Sequence, residues 1–141
     1  MTRRSTYVLE EQVGHLLRRA NQRHTNLFQE LFGDLGLTTL QFAALMKLWE
    51  LGDLSQNQLG RLTAMDPNTI QGVVQRLERR GFVERRPDPE DRRRKALALT
   101  SGGEALAGSL VENGLRISEL TLDPLTASER RQFLALINKL T

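Results

Sequence analysis

Residues 55–100 decide the fold of this chain, and they read SQNQLGRLTAMDPNTIQGVVQRLERRGFVERRPDPEDRRRKALALT. Two short helical patterns come first, and two short alternating runs, 82–86 and 95–99, follow on either side of an arginine-rich turn. This order predicts a helix-turn-helix followed by an antiparallel β-hairpin, called the wing. Because a helix fits the major groove of DNA and basic side chains on a ribbon suit a narrow minor groove, we interpret the stretch as a DNA-reading head.

Capping signals mark the two helices of this motif. Ser55 with Gln58 forms a capping box, and Asp66 followed by Pro67 is typical of a helix start, where the missing N–H of proline costs nothing. Residues 63–65 are predicted to form the tight turn between them. The apolar residues predicted to face inward are Leu59 and Leu62 in the first helix and Ile70, Val73, Val74 and Leu77 in the second helix, residues 67–80.

The second helix begins with polar side chains. The helical period that turns its apolar residues inward turns these polar residues outward. Side chains that donate and accept hydrogen bonds at the exposed start of such a helix are what base-edge recognition in the major groove requires. We therefore predict that it is the recognition helix. Its candidate DNA-binding residues are Asn68, Thr69, Gln71, Gln75 and Arg76.

The turn of the wing carries three consecutive arginines, Arg92, Arg93 and Arg94, which are also candidate DNA-binding residues. Adjacent cations repel one another unless an anion meets them, and the DNA backbone and a narrow minor groove are suitable partners. Asp91 is predicted to pair with one of these arginines and to hold its orientation. The alternative interpretation is a solvated turn.

Charge is distributed unevenly along the 141 residues. The net charge is only +3, but the segment from Arg76 to Lys95 holds nine Lys/Arg against five Asp/Glu, a local net charge of +4 that leaves −1 for the remainder. A basic patch on a near-neutral body indicates a polyanionic partner, although a run of charges is also typical of a solvated face.

The composition excludes several classes of site. With 39% hydrophobic residues, the chain suffices for one folded domain, 1–141, with its own core. The lack of cysteine excludes disulfides, thiolate metal sites and cysteine redox sensing, and two histidines nine residues apart make a poor metal site. No nucleophile motif, glycine-rich phosphate loop or shared carboxylate pair indicates an enzyme, and no cofactor is expected.

The start of the chain, MTRRSTYVLEEQ, lacks the apolar core of a signal peptide. No apolar run approaches the roughly 20 residues that a membrane span needs. These features predict a soluble, cytoplasmic protein without membrane association.

Helical patterns flank the head on both sides. Residues 6–32 are predicted to form one long helix, and a further helix after the wing is predicted to run to about residue 120. The first and last helices carry more apolar surface than a monomer of this size covers, so we expect a homodimer. Helix starts are predicted from capping boxes at Thr38 with Gln41, Ser101 with Glu104, and Thr126 with Glu129.

The expected fold is therefore all-α with a small β-hairpin wing. It consists of a winged helix-turn-helix region at 38–100, with N- and C-terminal dimerisation helices at 6–32 and 101–141.

Three short segments resemble the signature of the MarR family of bacterial transcription regulators. They are LERRGFV at residues 77–83, DRR at residues 91–93, and Leu99-Thr100 followed by Gly103. The resemblance implies an obligate homodimer joined by its terminal helices, with recognition helices in successive major grooves and wings in flanking minor grooves. It also implies that Arg93 is the family's wing arginine, that Asp91 steadies the wing, and that a ligand controls repression.

Residues 14–20, GHLLRRA, resemble the branch of this family that controls breakdown of benzoate-, hydroxycinnamate- and nicotinate-type acids. A guanidinium is a bidentate donor for a carboxylate, and apolar walls suit an aromatic ring. A polar surface or dimer-facing strip for the cationic set, and core packing for the apolar set, remain alternatives, and His24 is interpreted as a core histidine. The candidate ligand-binding residues are His15, Arg18 and Arg19 for the carboxylate, and Phe42, Met46 and Trp49 for the ring.

The combined prediction is a dimeric, sequence-specific DNA-binding transcription regulator that acts as a repressor. It is expected to bind a pseudo-palindromic operator in double-stranded DNA with half-sites about 10 base pairs apart. A small aromatic carboxylate, such as a hydroxylated nicotinate or benzoate, is expected to release it. The alternative is a winged-helix module that binds protein without ligand control, which would not need the arginine turn or the polar helix start.

Overall fold

The computed structural model of the protein describes residues 6–141. Within that range the chain forms six α-helices and one two-stranded antiparallel hairpin, which confirms the predicted fold class. The single-domain prediction also includes residues 1–5, which lie outside the described residues. The elements are α1 (Val13–Phe32), α2 (Thr39–Leu51), α3 (Gln56–Leu62), α4 (Pro67–Arg79), β1 (Val83–Pro87), β2 (Lys95–Leu99), α5 (Ser101–Thr121) and α6 (Ala127–Asn138), with 3-10 turns at Leu9–Glu11 and Gly33–Leu35.

The chain divides into two compact units. The head unit, Leu35–Asn113, contains α2, α3, α4, the hairpin and the first part of α5. The terminal unit comprises the chain up to Asp34 together with Gly114–Thr141, and contains α1, the end of α5 and α6. The dimerisation role of 6–32 and 101–141 stays a prediction.

Buried apolar side chains hold α3 against α4 in the head unit. The four residues predicted to face inward from α4 are all buried. In α3, Leu59 is fully buried, but Leu62 is 49% exposed, so the predicted burial of Leu62 is wrong. The reason is that α3 meets α4 through its glycine: a Cβ on Gly60 would lie 3.2 Å from Ile70 Cγ2. At 100° per residue, Leu62 is turned about 200° away from Gly60.

Side-chain caps start most of the helices where the sequence predicts them. The capping boxes at Thr38, Ser55 and Thr126 are present, each with the cap hydroxyl accepting from the third backbone amide of its helix. Asp66 caps α4 by accepting from the Thr69 N–H at 2.8 Å. These local hydrogen bonds satisfy amides that the first helical turn leaves unpaired.

The wing is anchored to the helix-turn-helix as well as closed on itself. The hairpin pairs Val83 with Leu99 and Pro87 with Lys95. On the other edge of β2, the Leu54 N–H donates to the Leu97 carbonyl at 3.1 Å and the Leu97 N–H donates to the Leu54 carbonyl at 2.7 Å. Leu54, which lies just before the N-cap of α3, is therefore joined by two backbone hydrogen bonds to the centre of β2.

A junction at Thr100 connects the recognition helix, the wing and α5. The Thr100 N–H donates to the Phe82 carbonyl at 3.1 Å, and its hydroxyl donates to the Gly81 carbonyl at 2.6 Å. The same hydroxyl oxygen accepts from the Gly103 N–H at 3.0 Å and so caps α5. The predicted cap at Ser101 is wrong by one residue, because the hydroxyl of Thr100 is already held at the base of the hairpin.

The terminal unit begins its main helix later than predicted. The chain has a short 3-10 turn at Leu9–Glu11, and α1 starts only at Val13, so the predicted helix of 6–32 is too long at its start. Gln12 occupies the cap position with extended backbone and without a side-chain cap bond. Its side-chain amide donates instead to the Val8 carbonyl at 3.2 Å.

Two residues of α1 bind the end of α5 within the terminal unit. The Arg23 guanidinium donates to the carbonyls of Leu120 at 2.9 Å and Thr121 at 3.1 Å at the end of the helix, and the Leu120 carbonyl also accepts from the Asp123 N–H at 3.3 Å. His24 Nδ1 lies 3.4 Å from Thr121 Oγ1. Within residues 6–141, every helix is too short or too polar to serve as a membrane span.

Gly103→Ala is expected to destabilise the protein by at least about 2 kcal/mol, because its new Cβ would overlap the carbonyl group of Phe82. Gly102→Ala is the matched control, since its Cβ would lie 3.7 Å from Thr100 Oγ1, in ordinary contact. Urea unfolding at one fixed protein concentration measures both effects. Equal midpoints for Gly103→Ala and the parent would contradict the close packing at the junction.

Candidate nucleic-acid interface

The recognition helix α4 separates an apolar face from a polar one. The polar residues near its start are accessible: Asn68, Gln71, Gln75 and Arg76 are exposed, and Thr69 is half-buried. The apolar residues on the other side anchor the helix in the head unit. The predicted DNA-contacting side chains are thus brought together on one open surface of a helix whose position is fixed by packing.

Asp66 restricts what Thr69 offers to a ligand. The Thr69 hydroxyl donates to Asp66 Oδ2 at 3.0 Å, beside the cap bond from the Thr69 backbone. The hydrogen bond from the Thr69 backbone is the main cause that lowers the pKa of Asp66 below its ordinary value, and the bond from the Thr69 hydroxyl is the second. Asp66 therefore stays a carboxylate near neutral pH, and the Thr69 oxygen remains available as an acceptor only.

The tip of the wing is a structured loop. The Asp88 N–H donates to the Arg94 carbonyl, and the Arg94 N–H donates to the Asp91 carbonyl, both at 3.0 Å. Asp91 Oδ1 accepts from the backbone N–H of Arg93 at 3.0 Å and from its Nε at 3.3 Å. The guanidinium of Arg93 is oriented by this carboxylate, yet its side chain is 91% exposed, so it is presented to solvent in a defined direction.

Several arginines in the basic segment are committed to other parts of the head unit. Arg80 donates to the carbonyls of Leu35 at 2.7 Å and Gly36 at 3.2 Å, with its guanidinium 5.1 Å from the Phe82 ring centroid. Arg85 pairs with Glu78 at 3.3 Å, and Arg86 pairs with Asp53 at 3.4 Å. The nine Lys/Arg of the segment therefore overstate the number of cations that are free to meet DNA.

The candidate ligand-binding residues are distributed over both units. On α1 in the terminal unit, His15 is half-buried and Arg18 and Arg19 are exposed. On α2 in the head unit, Phe42 and Met46 are half-buried, and Trp49 is 47% exposed. Simple core packing therefore does not describe Trp49, because nearly half of its side chain is left uncovered.

His24 behaves as a hydrogen-bonded structural histidine. The Thr121 hydroxyl near it donates to the Ile117 carbonyl at 2.7 Å, so Thr121 Oγ1 is an acceptor for the ring. His24 is half-buried in the terminal unit. Within residues 6–141 no group of His, Asp and Glu side chains is placed to hold a metal ion.

Two cations on the head surface were not predicted as functional residues. Arg61 on α3 and Lys95 at the start of β2 are both exposed. The sequence signal for Arg61 is a cation on the first helix of a helix-turn-helix motif, an element that crosses the DNA backbone in such motifs. The signal for Lys95 is its position directly after the three arginines of the wing.

Known proteins resemble this chain over most of its length. A model of the MarR family matches residues 37–95. The HTH-type transcriptional repressor NicR of Pseudomonas putida is 45% identical over 134 residues, which cover 95% of this chain and 85% of NicR.

Two solved structures share the fold. One describes regulation of the DNA binding of Bordetella bronchiseptica BpsR by 6-hydroxynicotinic acid; it has a TM-score of 0.89 and 38% identity, and covers 96% of this chain and 97% of that one. The other is a variant of MarR from Escherichia coli in complex with operator DNA, with a TM-score of 0.82 and 27% identity over 91% of this chain and 92% of that one.

Arg93→Ala is expected to weaken DNA binding by at least about tenfold, because an exposed cation at the wing tip is lost from the negative potential of the DNA groove. The slope of the logarithm of DNA affinity against the logarithm of salt concentration should become shallower by about 1 for each contact removed. Unfolding free energy should change by less than about 0.5 kcal/mol, since the side chain packs against little.

Fluorescence anisotropy titrations at several salt concentrations measure the DNA affinity and its salt dependence, and urea unfolding measures the unfolding free energy. The matched control is Arg131→Ala, which removes an exposed arginine from α6 in the terminal unit. If Arg93→Ala binds DNA with the affinity and salt slope of the parent, the wing does not contact DNA.

Proposed function

Because the chain belongs to the MarR family of transcription regulators, we propose that it acts as a homodimeric repressor that binds a pseudo-palindromic operator and is released by a small aromatic carboxylate. Family membership also confirms the prediction of a transcription regulator and not an enzyme. The observation that carries the proposal is the head unit, where the polar face of α4 and the oriented arginines of the wing belong to one compact body.

The DNA-contacting residues proposed for this function act in two ways. On α4, Asn68, Gln71 and Gln75 are proposed to read base edges in the major groove, with Thr69 accepting and Arg76 donating hydrogen bonds. At the wing, Arg92, Arg93 and Arg94 are proposed to meet phosphates and the minor groove, and Asp91 holds Arg93 in position. The operator complex of the related MarR protein supports DNA as the partner.

The terminal unit supports a homodimer, because part of its apolar surface is exposed to solvent. Helix α6 has no buried residue, although Phe133 and Leu136 lie along one face, and Leu140 follows shortly after the helix ends. Leu16 and Leu17 on α1 are 49% and 43% exposed. These side chains line one apolar groove of about 860 Å³ within the terminal unit. Isolated short helices are only marginally stable in water, so a second copy is the proposed occupant of the groove.

Leu16→Glu is expected to convert the dimer into a monomer at micromolar concentration, because a carboxylate in the groove would lose its water on dimerisation. Leu51→Glu is the matched control: Leu51 is 52% exposed, but it lies on α2 in the head unit and outside the groove. Sedimentation equilibrium distinguishes the two species.

The same proteins test operator binding by DNase I footprinting. The parent and Leu51→Glu should protect two half-sites about 10 base pairs apart, centre to centre, as two-fold symmetry requires. Leu16→Glu should protect neither half-site at the same concentration. A folded, monomeric parent, or a single asymmetric footprint, would overturn the proposed homodimer.

The proposed effector is an aromatic carboxylate such as 6-hydroxynicotinic acid. Support comes from BpsR, a relative whose DNA binding this acid regulates, and from the cations Arg18 and Arg19 beside His15 on α1. On a helix turning 100° per residue, these three residues lie on the side of α1 away from Leu16 and Leu17. The cationic strip is thus separate from the apolar groove, and its arginines are exposed and open to a bidentate carboxylate.

Phe42, Met46 and Trp49 are proposed independently as residues that receive an aromatic ring. Their partial exposure on α2 is compatible with this role, and Trp49 has the largest uncovered fraction of the three. An effector releases DNA only if it binds the DNA-incompetent conformation more tightly than the competent one.

Arg18→Ala is expected to bind the operator as the parent does but to resist release. In the parent, saturating 6-hydroxynicotinic acid should lower operator affinity about 30- to 150-fold, which corresponds to a coupling free energy of about 2 to 3 kcal/mol. Anisotropy titrations with and without the acid measure the coupling, with Arg131→Ala as the matched control. Equal release of Arg18→Ala and the parent would exclude Arg18 from the effector site.

A further inference from the structure

The head unit carries a second cationic surface beside the recognition helix and the wing tip. A polar concavity of about 510 Å³ is lined by residues 55–58 at the start of α3, by Arg61 at its end, and by Arg94 and Lys95 where β2 begins. Three of the lining residues are cations, and the others are neutral and polar. No carboxylate is among the lining residues, although acidic residues are frequent in the neighbouring sequence.

Hydrogen bonds hold the two sides of this concavity in a fixed arrangement. The paired bonds between Leu54 and Leu97 connect the segment leading into α3 to the middle of β2. Arg85 of β1 donates to Gln56 Oε1 at 2.7 Å and so ties the other strand to the first turn of α3. The concavity is therefore a built feature of the folded head unit.

The two glutamine side chains in the concavity already use their oxygen atoms within the head unit. Gln56 Oε1 accepts from Arg85, and Gln58 Oε1 accepts from the Ser55 N–H at 2.9 Å. Each glutamine oxygen thus already accepts one hydrogen bond from the protein, whereas the NH₂ groups of Gln56 and Gln58 are donors, and Asn57 adds both a donor and an acceptor. Together with Arg61, Arg94 and Lys95, these groups present hydrogen-bond donors and positive charge, and this combination suits an anion with acceptor oxygens only.

The cations themselves are poorly neutralised by the protein. Among residues 6–141, no carboxylate lies within ion-pair distance of Arg61 or Lys95, and the Arg94 Nε is 3.7 Å from Asp91 Oδ2. Like charges that share one concavity raise the free energy of the unliganded head, and an anion bound among them would lower it. A phosphodiester has the required charge and acceptors.

We propose that this concavity binds one phosphate group of the DNA backbone between the groove read by α4 and the groove met by the wing. The inference rests on the proposed function. The phosphate backbone is what separates a major groove from the adjacent minor groove, so a head that enters both grooves must face it. The concavity is lined by the helix that precedes α4 and by the strand that leaves the wing tip. Such a contact sets the register of the head on the duplex and carries no base preference.

The test uses the full chain with Arg61→Gln, Lys95→Gln and the double variant, and operator DNA identified by footprinting. Each single variant should bind both operator and shuffled DNA about tenfold more weakly, so that the ratio between them stays unchanged. The salt slope should be shallower by about 2 per dimer, because each substitution removes one contact from both protomers. Arg131→Gln, an exposed arginine of α6, is the charge-matched control and should bind as the parent does.

A second measurement identifies the anion as a DNA phosphate. Single methylphosphonate linkages remove the charge of one phosphate at a time. At one position in each half-site, the neutral linkage should weaken the parent about tenfold and leave the double variant unaffected. Titration with inorganic phosphate distinguishes the other source: a site that binds free phosphate but shows no such position in DNA would overturn the proposal.

The outcomes separate this inference from the function on which it rests. Failure of the parent itself to give a specific footprint would overturn the proposed function. A specific parent footprint together with parent-like affinity and salt slope in Arg61→Gln and Lys95→Gln would overturn only the phosphate site. A change in the operator-to-shuffled ratio would also overturn it, because it would indicate base reading.

Discussion

The hydrogen bonds of Thr100 are the constraint on which the DNA-reading surface depends. One residue bonds to Phe82 at the base of the wing, to Gly81 at the end of the recognition helix, and to Gly103 in the first turn of α5. Gly81 has a φ of +77°, which a residue with a Cβ rarely adopts, so the sharp exit from α4 is tied to glycine. Recognition helix and wing are consequently held relative to each other by the backbone and the hydroxyl of Thr100, and the side chains proposed to contact DNA take no part in these bonds.

The arginines of the head unit divide into two groups with different physical roles. Arg80, Arg85 and Arg86 bind carbonyls or carboxylates of the head itself, where the guanidinium fork links elements that are distant in sequence. Arg93 is oriented by Asp91 but stays exposed, and Arg61 has no carboxylate partner among the described residues. A cation whose charge is not paired within the protein gains most from an external anion.

In the terminal unit, the exposed residues proposed for the dimer contact are apolar and not charged. Its apolar residues face an open groove, and the described side chains of this unit that reach full burial are Phe28, Phe32 and Ile117. Phe28 and Phe32 pack edge to face with ring centroids 4.9 Å apart. A helix such as α6, without buried residues, gains its stability from what covers its apolar face. Stability of the terminal unit and self-association are therefore expected to be coupled. The proposed dimer contact and the proposed DNA-contacting residues lie in different units.

The amino-acid sequence by itself determined the helix starts at Thr38, Ser55, Asp66 and Thr126, the inward face of α4 and the presence of the wing. Each of these follows from interactions within three or four residues or from a regular apolar period, which a sequence displays directly. Only the tertiary structure decided that Leu62 and Trp49 are exposed, that Thr100 rather than Ser101 caps α5, and which arginines are paired. These outcomes depend on contacts between residues that are not neighbours in the sequence, such as Gly60 with Ile70 and Thr100 with Gly81. A local sequence pattern does not specify which residues the fold places beside each side chain.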